Sequence, residues 1–348
     1  MSTSHGEQSQ LHTKLEARKQ RVAKTDLFVG IRANQWPIVY HPDYNISFFG
    51  LEKLHPFDSK KWGNVFRILV EAGMLKEETI TTPHEATRDD LLVIHTPAYL
   101  NSLECPCSVA HMLEVPAVAF IPKCLLNSHI LHPMRLQTGG TVAAARLALD
   151  RNWAINIGGG FHHARSDKGE GFCLYADISI ALEMLLTEGL IKTAMIVDLD
   201  AHQGNGHEHD FGGDQRIYIF DMFNYEIFPR DNAVKTNMSR SVRLQSYTGG
   251  TEYLRKLKQE LHTALGEFTP DLMLYNAGTD CLSEDPLGCL SLSPKAVIQR
   301  DEIVFEMARD SFVPIVMVTS GGYLPSSAQV IADSILNLHA KKLIKLTN

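Results

Sequence analysis

The chain has 348 residues, 44% hydrophobic and 21% charged, with a net charge of −7 and a pI near 6.1. That composition supports a substantial buried core, its acidity offers no positive field for a nucleic-acid backbone, and no apolar run reaches the ~18–20 residues of a membrane span. Six cysteines form no CxxC pair and read as reduced thiols of a nuclear or cytoplasmic protein, with Cys105 and Cys107 as two loop cysteines.

Residues 1–33 are polar and carry a loose basic cluster (Lys14, Arg18, Lys19, Arg21 and Lys24) diluted by Glu16 and Asp26. The segment lacks an apolar h-region, so it is no secretory signal. A frayed or disordered tail is the preferred reading, with an import patch as the alternative. Residues 34–348 form the second unit: from Trp36 onward the composition is even, without linker or repeat. Short β-branched apolar runs predict strands at Ile38–Tyr40, Leu91–Ile94, Ala117–Ile121, Ala154–Ile157, Ala194–Val197, Ile217–Phe220, Leu272–Tyr275 and Pro314–Val318. Helical patterns lie between several of them: Thr138–Arg151, Ala176–Thr187, Glu252–Phe268 and Pro294–Arg309. Ser293 followed by Pro294 predicts an N-cap, and Gly189 a C′ position. Continuous apolar strands alternating with helices predict one α/β domain, a mostly parallel multi-stranded sheet with helices on both faces.

Ligands of such sheets bind beyond the carboxyl ends of the strands, and the chemistry-bearing residues cluster there, after Ile157, Val197, Tyr275 and Val318. In Asp198-Leu199-Asp200-Ala201-His202 two carboxylates and an imidazole recur at every second position, on one side of an extended backbone. Carboxylates crowded at the edge of a core call for a cation. Asp200, His202 and Asp280 are the expected ligands, a three-residue O/N set of the kind that holds catalytic zinc. Gly204 stands where a two-metal Asp-x-His-x-Asp pattern would carry its extra carboxylate, which favours a single ion. Glycines 158–160 let His162 and His163 share a pocket that a regular strand would deny them. Asp198, if not a ligand, can orient one imidazole and Asn205 the other, separating an acid from a base. Tyr323, after Gly321-Gly322, is placed to donate to an oxyanion.

These motifs resemble the zinc-dependent histone deacetylase family: His55-Pro56-Phe57-Asp58, Gly158 to His163, Gly171-Phe172-Cys173, Asp198 to Gly206, Asn276 to Asp280, Leu287-Gly288 and Gly321-Gly322-Tyr323. The resemblance runs from about Trp36 to the C-terminus. Trp153 to Asn156 and the run Asp198 to His207 look most like the class IV branch. The resemblance implies an arginase/deacetylase-like fold and zinc-dependent removal of acyl groups from lysine in proteins, histones included, with a role in chromatin regulation. It implies zinc on Asp200, His202 and Asp280, His163 as proton shuttle, His162 as its companion held by Asp198, and Tyr323 as oxyanion donor. Gly171, Phe172 and Phe228 would line the acyl-lysine channel, and Asp198, Asp200, His202, Asp221 and Met222 a structural potassium site. Asn205 stands where class I members carry aspartate. Class IV likeness further suggests long-chain fatty acyl-lysine as substrate. Deacetylation of small amines such as polyamines, and a non-catalytic scaffold, are the competing readings.

Overall fold

The computed structural model describes residues 5–46 and 58–346; His55, Pro56 and Phe57 of the first motif lie outside the described residues. Seven strands form one sheet: β1 (Ile38–Val39), β2 (Trp153–Asn156), β3 (Ala194–Asp198), β4 (Ile217–Asn224), β5 (Arg240–Leu244), β6 (Leu272–Asn276) and β7 (Ile315–Val318). Their order is β1-β2-β7-β6-β3-β4-β5, and every pairing is parallel. The expected mostly parallel sheet is therefore parallel throughout.

Strand side chains alternate between two cores. Met195 and Val197 of β3 face the core that receives helices Lys61–Glu71, Gly250–Glu267, Pro294–Asp310 and Ser327–Ala340. Ala194 and Ile196 face the core of helices His132–Arg151 and Asp177–Thr187. Both faces being covered explains the unbroken apolar character of the strands. The N-cap at Ser293 forms, its side chain accepting from the Ala296 N–H, and Gly189 takes a φ of +73° just past its helix.

Two strand expectations fail for local reasons. Leu91–Ile94 is no strand, because Thr87 and Asp90 form a reciprocal capping box that starts a helical turn at Arg88. Ala117–Ile121 is no strand either: Pro116 opens a 3-10 helix through Phe120. The N-terminal tail carries a helix, His5–Val22, anchored where Arg18 pairs with the buried Glu183 and where Val22 and Leu27 are buried.

Register brings the chemistry to one place. At the carboxyl end of the sheet Asn156 pairs with Val318, Val318 with Asn276, Asn276 with Asp198, and Asp198 with Asp221. One rung thus carries four polar side chains, all fully buried, and the loops that follow it hold the site.

Candidate active site

The loop after β2 turns at Gly159 and Gly160, with φ of +70° and +80°. A Cβ on Gly159 would lie 2.3 Å from Thr141 Oγ1, and one on Gly160 2.5 Å from Asn276 Oδ1. The turn is held by Asp177, whose carboxylate accepts from the N–H groups of Gly160 and Phe161, both at 2.8 Å, and by Gln137, which accepts from Gly159 N–H at 3.0 Å. His162 and His163 consequently sit with ring centroids 4.0 Å apart, both buried.

Their partners differ. His162 Nδ1 donates to Asp198 Oδ2 at 2.9 Å, while His163 Nδ1 faces Asn205 Oδ1 at 2.8 Å. Burial disfavours a charged imidazole at either position. At His162 the charges of Asp198 and Asp200 overcome burial and raise the pKa to about 9. At His163 burial, with the cations of His162 and His202 nearby, lowers it well below 6.5. One imidazole is held charged and the other neutral, the separation an acid–base site needs.

The loops after β3, β6 and β7 meet beside this pair. Asp200, His202 and Asp280 offer ligand atoms within 4.8 Å of one another, with His202 Nδ1 2.7 Å from Asp280 Oδ2 and 3.1 Å from Asp200 Oδ1. Burial and the neighbouring Asp200 push the Asp280 carboxyl up to about 7, a repulsion that a dication would remove. A Cβ on Gly278 or Gly321 would lie 2.2 or 2.4 Å from Asp200 Oδ2, so both glycines are required for the carboxylate to sit there. The donor set therefore fits a metal ion. Among the described residues no other group of three or more His, Cys, Asp or Glu gathers so closely. A Cβ on Gly204 would approach His207 Nε2 at 2.1 Å, which leaves no room for a carboxylate at that position.

Tyr323 closes the site, its ring edge-on to Phe172 at 6.0 Å and to His202 at 6.4 Å. Phe228 stands edge-on to His163 at 5.0 Å, opposite Gly171, whose added Cβ would meet both His163 and Phe228. Asp221 extends from the polar rung: its Oδ2 accepts from Gly204 N–H at 2.8 Å, while its buried Oδ1 receives no N–H or hydroxyl and the carboxyl of Glu208 stands beside it. Met222 is fully buried beside it. His162, His163, Asp198, Asp200, His202, Asn205, Asp280 and Tyr323 thus lie together, with Gly171, Phe172 and Phe228 beside them.

Several supporting residues escaped the sequence reading. His207 Nε2 donates to Asp198 Oδ2 at 2.9 Å. Buried Lys61 donates to the carbonyls of Ser320 and Gly321, fixing the loop that carries Tyr323; burial lowers its pKa to about 8. Buried Arg300 donates to Gly278 O at 2.5 Å and Leu199 O at 3.3 Å, tying the β6 and β3 loops together. Lys61 and Arg300 come from helices distant in sequence from Ser320 and Leu199, and only His207 lies within a legible motif.

The site opens into a cavity of about 130 Å³ that reaches from Asp200, His163 and Tyr323 past Gly159 and Gly160. Its far wall is apolar: Leu113, Val115, Val118, Ile121, Ile130 and Met134.

Residues 55–339 match the histone deacetylase domain family. Histone deacetylase 2 of Arabidopsis thaliana is 50% identical over 328 residues, 94% of this chain and 85% of that protein. The acetoin utilization protein AcuC of Staphylococcus aureus is 27% identical over 285 residues, 77% and 72% of the two chains. The crystal structure of the HDA15 HD domain matches with a TM-score of 0.71 at 18% identity, covering 89% of this chain and 90% of that one, a likeness of fold.

Proposed function

The chain belongs to the histone deacetylase domain family, and from that premise we propose that it hydrolyses the side-chain amide of acylated lysine in proteins, with zinc as its metal. The observation that carries this reading is the pair of adjacent imidazoles with opposite partners, Asp198 on His162 and Asn205 on His163, set beside a buried Asp-His-Asp donor group. Held by Asp200, His202 and Asp280, zinc would supply Lewis-acid polarisation of the amide carbonyl.

The chain's own residues do the rest. Neutral His163 takes a proton from the attacking water and returns it to the leaving lysine amine. His162, kept cationic by Asp198, adds positive charge where the tetrahedral oxyanion develops. The Tyr323 hydroxyl donates to that oxyanion. Phe172 and Phe228, with Gly171 between them, hold the apolar lysine stem and exclude water.

Three finer points belong to the same proposal. Asn205 and the run Asp198 to His207 support a class IV placement. A potassium ion at Asp198, Asp200, His202, Asp221 and Met222 is supported by the crowding of the buried Asp221 carboxyl against those of Asp198 and Glu208. The apolar wall from Leu113 to Met134 supports a preference for long acyl chains, since each buried methylene contributes ~0.8 kcal/mol. Histones in the nucleus, or acylated proteins of the cytoplasm, are the substrates this reading implies.

The test is kcat/KM on one peptide carrying acetyl-, octanoyl- or myristoyl-lysine, beside free acetylated polyamines. The expected order has myristoyl- above acetyl-lysine and polyamines last. Polyamines in first place would sink the protein-substrate reading, and acetyl above myristoyl the long-chain one.

A further inference from the structure

We propose that Glu170 is a positioning residue that sets the tautomer of His163 by holding the side-chain amide of Asn205 in one orientation. The proposal rests on the reading of His163 as the general base.

An aspartate facing an imidazole Nδ1–H accepts with either oxygen. An asparagine is ambiguous, because one end of its amide accepts, the other donates, and a half-turn exchanges them. With the –NH2 end toward His163, Nδ1 would have to be the bare nitrogen. The proton would then sit on Nε2, and the atom that must accept a proton from water would already carry one. The choice of asparagine at position 205 therefore needs something to fix its orientation.

Glu170 supplies it. Asn205 Nδ2 donates to Glu170 Oε1 at 2.8 Å, and a carboxylate, having no hydrogen to give, can face only the –NH2 end. The oxygen of Asn205 is thereby left for His163 Nδ1, 2.8 Å away, and Nε2 stays free. Asp231 reinforces the choice: burial pushes its carboxyl up, but hydrogen bonds from His209, Ala233 N–H and the Asn205 side chain prevail and hold it below the usual carboxylate range. Asn205 is itself buried, so water cannot replace these partners freely.

Glu170 is anchored from two sides. It pairs with Lys168, and its carbonyl accepts from Cys173 N–H at 3.0 Å. It also borders a second cavity with Glu114, Gly171 and Phe228. The orienting carboxylate thus stands at the rim of the channel while acting, through one amide, on the base at its floor.

The experiment is a double-mutant cycle on the full chain. Glu170→Ala is expected to lower kcat by about tenfold or more, the scale on which orienting partners of functional imidazoles act, with KM nearly unchanged. Glu170→Gln, which keeps an acceptor oxygen, should recover most of the loss. In the Asn205→Asp background the orientation no longer matters, and Glu170 becomes a repelling neighbour. There Glu170→Ala should leave kcat unchanged or raise it. Equal losses in both backgrounds would mean that Glu170 merely props the fold, and would overturn the proposal.

Nitrogen-15 NMR of labelled histidines reads the same point without turnover. The wild type is expected to show a single Nδ1–H tautomer for His163, and Glu170→Ala a mixture. An unmixed tautomer in the variant would likewise overturn it. Should His163→Ala retain full activity, the base reading fails, while the tautomer measurement still judges Glu170.

Discussion

Tyr323 is set to donate rather than to ionise. Burial first, then the charges of Asp200 and Asp280, raise its pKa well above 10, so its hydroxyl keeps its proton at any working pH. Tyr323→Phe should therefore cost ~10²–10³ in kcat with substrate binding mostly kept; a variant within a few-fold of wild type would show that the phenol plays no part. The two histidines separate in the same way. His163→Ala should cost ~10²–10⁴, the range of general acid–base catalysis, and His162→Ala should leave more residual activity. A reversed ranking would make His162 the base. Asp200→Asn replaces a carboxylate ligand by a weak neutral one. Elemental analysis after dialysis should fall from about one zinc per chain to near none, and retention of a full equivalent would remove Asp200 from the ligand set.

At the scale of the element, pattern reading succeeds where one force dominates. β2, β3, β4, β6 and β7 are buried on both faces, so their apolar runs were legible. β5 (Arg240–Leu244) was not: it lies at the sheet edge, and only Val242 and Leu244 are buried, leaving a strand that reads as polar. The loops showed their Gly, His, Asp and Tyr residues plainly, yet not the groups that hold them, because Lys61, Gln137, Asp177 and Arg300 lie on helices with no local signature.

His95 is another such group. Its Nε2 accepts from Ala176 N–H at 3.0 Å, at the start of helix Asp177–Thr187, and its Nδ1 faces Ser166 O at 3.3 Å. Burial, against the pull of the Ser166 and Arg165 backbone, lowers its pKa from 6.5 to about 4. The fold therefore prefers neutral His95. Its contribution is full above pH 6.5 and is lost as pH falls toward 4, by about 3 kcal/mol in all. Between pH 7 and pH 5 the stability advantage of wild type over His95→Gln should shrink by about 2 kcal/mol, read by urea unfolding at each pH. An advantage that stays constant would place a charged imidazole in the folded state.

For the molecule as a whole, the segment between Leu113 and Met134 bounds the cavity beyond the candidate site. It is built of short helical turns rather than sheet, and it places Val118, 5% exposed, on the cavity wall. Val118→Trp should fill that space. Myristoyl-lysine turnover should then fall by at least ~10-fold, since losing burial of two methylenes already costs ~1.6 kcal/mol, while acetyl-lysine turnover changes little. Equal losses for both substrates would mean that the acyl chain does not enter the cavity.

The strand order has a consequence for how the protein is made. β2 adjoins β1 and β7, whereas β3, β4, β5 and β6 pair among themselves. In chain order the strands before β7 fall into two leaves, and residues 315–318 bridge Trp153–Asn156 to Met273–Asn276. The leaf carrying His162 and His163 then meets the one carrying Asp200, His202 and Asp280, and Tyr323 arrives just behind the bridging strand. A nascent chain stopped short of β7 should consequently be open to proteases and incapable of turnover, however many of its catalytic side chains have already been synthesised. The keystone of the sheet thus follows, in chain order, every strand that it joins.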